Sequence, residues 1–551
     1  MTRGGSINRA VLFLLLLATS HSTYSRPRAS PPRVVVVGGG AAGYFAAIEC
    51  SRAAGVGRCE VVVLEATKEP LAKVLISGGG RCNVMHDPMK TPSEISTGYP
   101  RGARELIGAL TSQFTPWDTF DWFSSRGVEL KTERDGRVFP VTNKAESIAQ
   151  TLRTDALKLG VEVVTGARVT TIARCPITGQ FNLTCSADSL GHVIMAQSVI
   201  LATGASRPSY HLVTSLGHSI TPPLPSLFSF KIQDENLTAL AGVAAPSARV
   251  KILVPSLAAK KSKSSGPGPV DFSLLKEHLR PNLLKQYTQR GPLLVTHQGL
   301  SGPAVLRLSA FAARLVAGMR YTFEIEVKWI CGGGSGVGTG TFNDGDEELS
   351  DERVSEHFLQ IRKRFPTRLV GKGFPPLSLS LAAVEGSGGG DDAEGEKEWG
   401  GEGDDEEDKD GGAGESGELG VASIKRRLWL YLLMSKCDPP VEPTTKWRDV
   451  KPKEVASMVN AIMHSRYVVT GRGLYRDEFV TAGGVPLKEI NMRTMESKLS
   501  PGLFLCGELV DIDGVTGGYN FQSAWTTGYV AGSSCGKALS CVDSTQESSK
   551  D

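Results

Sequence analysis

Arg33-Val34-Val35-Val36-Val37-Gly38-Gly39-Gly40-Ala41-Ala42-Gly43 decides the fold of this 551-residue chain. A β-branched run passes without a break into G-x-G-x-x-G, and Ala41–Ala54 then reads as a helix. Strand, glycine turn and helix in that order open a dinucleotide-binding βαβ unit. Gly38 permits the tight turn, Gly40 lets the backbone approach a pyrophosphate, and Gly43 lets helix and strand pack closely. Ala41 and Ala42 complete the loop, whose free helix-terminal amides and dipole favour phosphate charge. A second buried strand, Glu60–Leu64, leads to Glu65, which lies 22 residues past Gly43 and is placed to hydrogen-bond an adenosine ribose. The motif alone does not separate NAD from FAD, because both carry the AMP half that such a turn holds.

Outward from this unit, Ser77-Gly78-Gly79-Gly80-Arg81-Cys82-Asn83 forms a second glycine cluster. Its amides are suited to the far half of a dinucleotide and Arg81 to charge-assisted bonds with phosphate; the alternative is a surface turn. Val161–Val164 and Ser198–Leu201 read as further strands, the latter ending at Ala202-Thr203-Gly204. Near the end of the chain, Leu503–Leu505 reads as a strand leading to Gly507-Glu508, with Asp511 and Asp513 beyond; a carboxylate there suits the hydroxyls of a ribityl chain. Gly514-Val515-Thr516-Gly517-Gly518-Tyr519-Asn520 leads into a helix over Phe521–Val530. Aimed at a flavin pyrimidine ring, that helix start stabilises the negative charge of reduction; an ordinary helix cap is the alternative.

Between these ends the texture changes. From Leu227 the short segments Ser229–Ile232, Ala248–Val254, Leu293–Thr296 and Tyr321–Lys328 suggest an antiparallel sheet or barrel. After Asp351, Val354–Phe365, Ser423–Ser435 and Pro452–His464 read as helices. The formal charge of +3 conceals a tract from Glu385 to Glu418 of net −13, which leaves +16 on the remainder. The tract reads as a disordered surface insertion, with an acidic docking segment as the alternative. Basic residues elsewhere are scattered and lack interleaved aromatics, which argues against nucleic acid and for mild attraction of anionic small molecules. None of the ten cysteines forms a Cys-x-x-Cys pair, so neither a disulfide framework nor a metal site is expected. Arg3 and Arg9 precede an apolar run from Ala10 to Ala18 and a Ser/Arg/Pro-rich stretch, the pattern of a targeting segment too short to span a bilayer. The hydroxylated, basic continuation favours a bipartite plastid presequence, with secretory delivery as the alternative.

Taken together, these motifs resemble the BaiN-like family of FAD-dependent, NAD(P)-linked oxidoreductases. The resemblance rests on Gly38–Gly43, Lys73–Asn83, Val199–Gly204, Thr296-His297-Gln298-Gly299-Leu300-Ser301-Gly302-Pro303, Val480–Val485 and Pro501–Gly532, in order along most of residues 33–541. It implies an α/β fold: a discontinuous Rossmann-like FAD-binding domain interrupted by an insert with an antiparallel β-barrel-like part and a helical part. The expected units are a presequence (1–32), the first part of the FAD domain (33–225), a barrel-like insert (226–350), a helical insert (351–465) holding the acidic tract 385–418, the barrel return with the C-terminal part of the FAD domain (466–541), and a disordered tail (542–551). By motif, the implied cofactor residues are Gly38, Gly40, Ala41, Ala42, Gly43, Glu65, Lys73, Ser77–Asn83, Thr203, Gly204, Gly507, Glu508, Asp511 and Gly517, Gly518, Tyr519 and Asn520.

The expected activity is transfer of hydride from NAD(P)H through FAD to an organic substrate such as an activated double bond. No second G-x-G-x-x-G stands in a strand–helix context, so the nicotinamide is expected to dock transiently over the flavin. Cys82 and His297 are the candidate catalytic side chains, each also readable as packing: Cys82 as a small apolar residue, His297 as a turn residue. Tyr519 reads equally as a flavin neighbour or as core. An oxygen-using monooxygenase or oxidase, and a flavin protein signalling to a partner through the acidic tract, are the alternative functions.

Overall fold

The computed structural model describes residues 31–186, 193–254, 281–331, 349–375, 377, 424–473 and 480–547. The readings of residues 1–30 as part of a presequence and of the acidic tract 385–418 lie outside the described residues.

β1 (Arg33–Val37), α1 (Ala41–Ala54) and β2 (Glu60–Leu64) occupy the bounds read from sequence. With β3 (Glu162–Val164), β4 (Ser198–Leu201) and the C-terminal β11 (Leu503–Leu505), they build one sheet. Its order is Ile490–Asn491, Glu496–Ser497, β11, β4, β1, β2, β3, and the five strands from β11 to β3 are parallel. Val34 to Val37 are all buried, which is why the central strand reads as an unbroken apolar run instead of alternating. Val199 pairs with Leu503 and Leu201 with Leu505, so the end of the chain completes the domain that its start begins.

The final helix, α8 (Tyr519–Glu547), continues well past Val530 and into the stretch read as a tail. Each glycine in a helix costs ~1 kcal/mol relative to alanine, so Gly528, Gly532 and Gly536 argue locally for an early stop. Tertiary packing overrides that preference. A Cβ at these positions would lie 2.7 Å from the Ala42 carbonyl oxygen, 2.2 Å from that of Ala46 and 2.5 Å from that of Cys50. The glycines therefore let α8 lie against the backbone of α1, the helix that carries the phosphate-binding turn.

The insert closes as an antiparallel barrel of β5 (Phe230–Ile232), β6 (Ala244–Leu253), β7 (Thr288–Thr296), β8 (Gly299–Ser301), β9 (Phe323–Lys328) and β10 (Ser465–Arg472). Two helices follow β8, namely α3 (Pro303–Phe311) and α4 (Ala313–Gly318). The helical part comprises α5 (Asp351–Arg364), α6 (Arg426–Tyr431) and α7 (Pro452–Met463), with a π turn over Leu432–Lys436 extending α6. It packs around the buried rings of Phe358, Trp429 and Trp447.

α3 lies between the two cores. Its Ala304, Val305 and Leu308 belong to the barrel core, while Leu306, Ala310 and Phe311 pack on the FAD-domain core. Among the described residues no helix is long and apolar enough to cross a membrane, and the described cysteines are free and, apart from Cys175, buried.

Candidate functional site

Three glycine-built turns from distant parts of the sequence meet at the carboxyl end of the parallel sheet. In the first, Gly38 has φ +107° and a Cβ on Gly43 would sit 1.8 Å from the Gly38 carbonyl oxygen, so only glycine lets α1 leave β1 this closely. Gly40 has nothing within 4 Å of where its Cβ would be, leaving the amides at the start of α1 open to a ligand. Glu65 closes over this turn: Oε2 accepts from the Gly39 amide at 2.6 Å, while Oε1 accepts from the Thr67 amide at 2.8 Å. Thr203, at the end of β4, has a buried hydroxyl with no partner, and Gly204 follows it with φ +66°.

The second turn interrupts the helical stretch α2 (Ala72–Gly80), which unwinds at Ser77, Gly78 and Gly79. Gly79 has φ +69° and open space beside it. Arg81 is engaged by the protein: its guanidinium meets Asn143 Oδ1 at 2.8 Å and the Glu133 carboxylate, and lies 3.9 Å from the centre of the Phe139 ring. Cys82 is fully buried, and burial pushes its thiol up to about 12, so it is protonated at neutral pH. With its amide oriented to satisfy both groups, Asn83 donates to the Met85 carbonyl at 3.2 Å and accepts from the Gly518 amide at 3.0 Å.

That last bond ties the second turn to the third. Gly518 itself is dictated by close approach, since a Cβ there would lie 2.2 Å from the backbone of Met85. Gly517 has φ +105°, and Asn520 braces the turn, its side chain accepting from the Gly514 amide at 2.8 Å and donating to the Gly514 carbonyl at 2.9 Å. Glu508 Oε2 accepts from Lys73 Nζ at 2.9 Å and Oε1 from the Thr481 amide at 3.1 Å. A Cβ on Gly507 would meet the Ala42 side chain at 2.8 Å, which brings the C-terminal motif against the start of α1. Asp511 faces Arg314 of α4 at 3.1 Å. Asp513 is buried against Arg101, which also donates to the Ala310 carbonyl of α3 at 3.0 Å. Burial pushes the Asp513 carboxyl up against the opposing pull of Arg101.

Tyr519 is buried, with its ring centre 4.6 Å from that of His86 and its backbone carbonyl accepting from the Tyr99 hydroxyl at 2.9 Å. Its hydroxyl receives a hydrogen bond from Lys90 at 2.9 Å. Sequence reasoning missed His86, Lys90 and Arg307 of α3. The available signals were a histidine three residues past the glycine cluster and a lone arginine in the apolar helix Pro303–Phe311. His297, by contrast, is exposed in the turn between β7 and β8, and among the described residues no hydrogen bond joins it to the glycine turns.

The open space beside Gly40 and Gly79, the unpartnered Thr203 hydroxyl and the acid at the end of β2 fit FAD, whose AMP half Gly38–Gly43 and Glu65 would hold and whose flavin half the other two turns would hold. The family model described as "HI0933-like protein Rossmann domain" matches residues 32–534. The chain belongs to this family. Membership makes it an FAD-binding Rossmann protein with oxidoreductase activity, and the resemblance drawn from motifs holds at the family level. A 3-dehydro-bile acid delta(4,6)-reductase of Clostridium scindens is 24% identical over 508 residues, covering 91% of this chain and 98% of its own. A ribosomal RNA dihydrouridine synthase of Haemophilus influenzae is 24% identical over 505 residues, covering 90% of this chain and 96% of its own. Among solved structures, a flavocytochrome c3 fumarate reductase aligns with a TM-score of 0.38 at 15% identity, over 98% of this chain and 83% of its own.

Proposed function

We propose that this protein is an FAD-dependent reductase that takes hydride from NAD(P)H and delivers it to a carbon–carbon double bond conjugated to a carbonyl. The observation that carries the reading is the convergence of the three turns, joined through Asn83 to Gly518, Lys73 to Glu508 and Gly507 to Ala42. Bound there, FAD supplies the hydride chemistry, and the protein contributes binding, orientation and electrostatics. The start of α1 offers its amides to pyrophosphate. Glu65, placed beside Gly39, orients the AMP half, and the start of α8 offers positive dipole potential toward the reducible ring.

The names of the relatives support the bond class more than any one molecule. A delta(4,6)-reductase acting on a 3-dehydro bile acid saturates double bonds conjugated to a ketone. Dihydrouridine is uridine saturated at a ring bond conjugated to a carbonyl. The proposed substrate is a small molecule, because the basic residues of the sequence are scattered apart from short clusters such as Lys260, Lys261 and Lys263.

The test is anaerobic: FAD-loaded protein is reduced with NADPH or NADH and then mixed with a cyclic enone. Reoxidation of the flavin by the enone, with no oxygen consumed during aerobic turnover, is the expected result. Reoxidation by oxygen alone, coupled to substrate hydroxylation, would replace this reading with the monooxygenase one. Plastid delivery through residues 1–33 is part of the same proposal, and a reporter carrying that segment that stays in the cytosol contradicts it.

A further inference from the structure

The helical insert gathers basic residues that the sequence spreads over three segments. Arg362, Lys363 and Arg364 end α5. Residues 366–371 then run antiparallel to 443–448: the Val370 amide donates to the Thr445 carbonyl at 2.9 Å, Gly371 to Pro443 at 2.9 Å, Trp447 to Arg368 at 3.0 Å and Arg448 to Pro366 at 3.0 Å. The start of α6 joins this pair of segments. Arg426 Nε donates to the Gly371 carbonyl at 3.4 Å, and Trp429 Nε1 to the Val370 carbonyl at 2.9 Å. The Arg362 guanidinium reaches the Arg448 carbonyl at 3.2 Å and so ties the end of α5 to the same group.

A cleft of about 530 Å³ opens here, lined by Arg364, Phe365, Arg368 and Lys372. Lys363, Arg364, Lys372, Lys425, Lys446 and Arg448 are exposed around it. Residues 362–372, 425–431 and 443–448 include no Asp or Glu. Cations held near one another by a bonded backbone sum to a field that attracts a polyanion. The chain carries such a polyanion between two of these segments: the tract Glu385–Glu418, of net −13, lies between Lys372 and Lys425. Glu385 follows Leu377 by eight positions, and Ile424 follows Glu418 by six. At ~3.6 Å per residue, the two ends of the tract stay within about 30 Å of Leu377 and about 20 Å of Ile424. Tethers this short give an effective concentration on the order of mM, which any free polyanion has to outcompete.

We propose that the acidic tract 385–418 docks in cis on this basic face of the helical insert, over the cleft lined by Arg364, Arg368 and Lys372, and so denies the face to other polyanions. The attraction is Coulombic and spread over many pairs. It therefore fades as salt shortens the screening length from about 30 Å at 0.01 M to about 3 Å at 1 M. The docking is independent of the flavin reading, since it involves neither cofactor nor substrate. It also fits a small-molecule enzyme, because the face that would attract nucleic acid is already occupied.

The test couples carboxylates to lysines of the full chain with a zero-length carbodiimide, isolates the covalent monomer and maps its cross-linked peptides by mass spectrometry. Links from the tract to Lys363, Lys372 and Lys446 are expected at low salt and are expected to vanish at about 1 M salt. In a second arm, heparin is titrated into wild type, the chain lacking residues 385–418, and that shortened chain carrying R364Q, K372Q, K446Q and R448Q. Deletion should tighten heparin binding about tenfold or more, and the four substitutions should reverse most of the gain. Absence of the three links overturns the proposal, as does heparin binding that the deletion leaves unchanged or that the substitutions fail to weaken. Links confined to covalent dimers give the tract to a second copy and overturn the docking in cis. A wild type that binds single-stranded RNA as tightly as the shortened chain does shows the face to be open to nucleic acid, which overturns it as well. Should the shortened chain fail to fold, the links in wild type and their loss at high salt decide the matter alone.

Discussion

In the cofactor frame, Glu65 closes on Gly39, Glu508 on Lys73 and Thr481, and Arg81 on Glu133 and Asn143. At the seam between that frame and the barrel, Arg307 Nε, His86 Nε2 and the Tyr519 proton have no partner among the described residues. The frame is thus preorganised by its own bonds, with glycines shaping the backbone that a dinucleotide follows. The seam leaves the bonding capacity of its polar groups open. In the proposed reading, the difference separates a region that binds the cofactor from one that faces the substrate.

The comparison breaks most readily at the Arg101–Asp513 pair, which fastens α3 to the third turn. Arg101→Ala leaves a buried carboxylate alone and is expected to cost about 3–5 kcal/mol in denaturant unfolding. A loss below about 1 kcal/mol would mean that the seam is not held by this pair.

Acid probes the seam through His86. Its pKa is held at about 4 in the folded state against an ordinary 6.5, so the unfolded chain binds the extra proton between these values. The stability is fully present above pH 6.5 and is lost as the pH falls toward 4, by about 3 kcal/mol. His86→Gln should flatten that part of the melting-temperature profile relative to wild type; an unchanged slope contradicts the assignment.

Gly43→Ala and Gly79→Ala sharpen the contrast inside the frame. The first forces a Cβ against the Gly38 carbonyl and is expected to cost about 1–3 kcal/mol and to abolish FAD loading. The second meets no neighbour and costs only the left-handed backbone penalty of ~1 kcal/mol, so the fold should survive while FAD affinity, read by fluorescence quenching, falls. Equal effects would mean that the two turns do not differ as described. The smallest effect is expected from removing residues 385–418, which should leave FAD binding and flavin reduction unchanged; loss of either would give the acidic tract a role in the catalytic unit.

Much of the frame was legible because its constraints are local. β1, α1, β2 and β4 stand where the apolar runs and glycine spacing put them, and the barrel follows from the change to short alternating segments. The length of α8 was not legible, since the close approach that makes three glycines favourable depends on α1. Nor was the seam, because Lys90, Arg307 and Tyr519 come from three distant segments and share no spacing rule. The partner of Asp513 was not legible either, since it is engaged by Arg101, a residue no motif had pointed to.

The central claim is most directly tested by the visible absorption spectrum of the purified, FAD-reconstituted protein, recorded without oxygen before and after NADPH or NADH. The account predicts protein-bound flavin bands that bleach on addition of the nucleotide. A protein that stays colourless after reconstitution would contradict it.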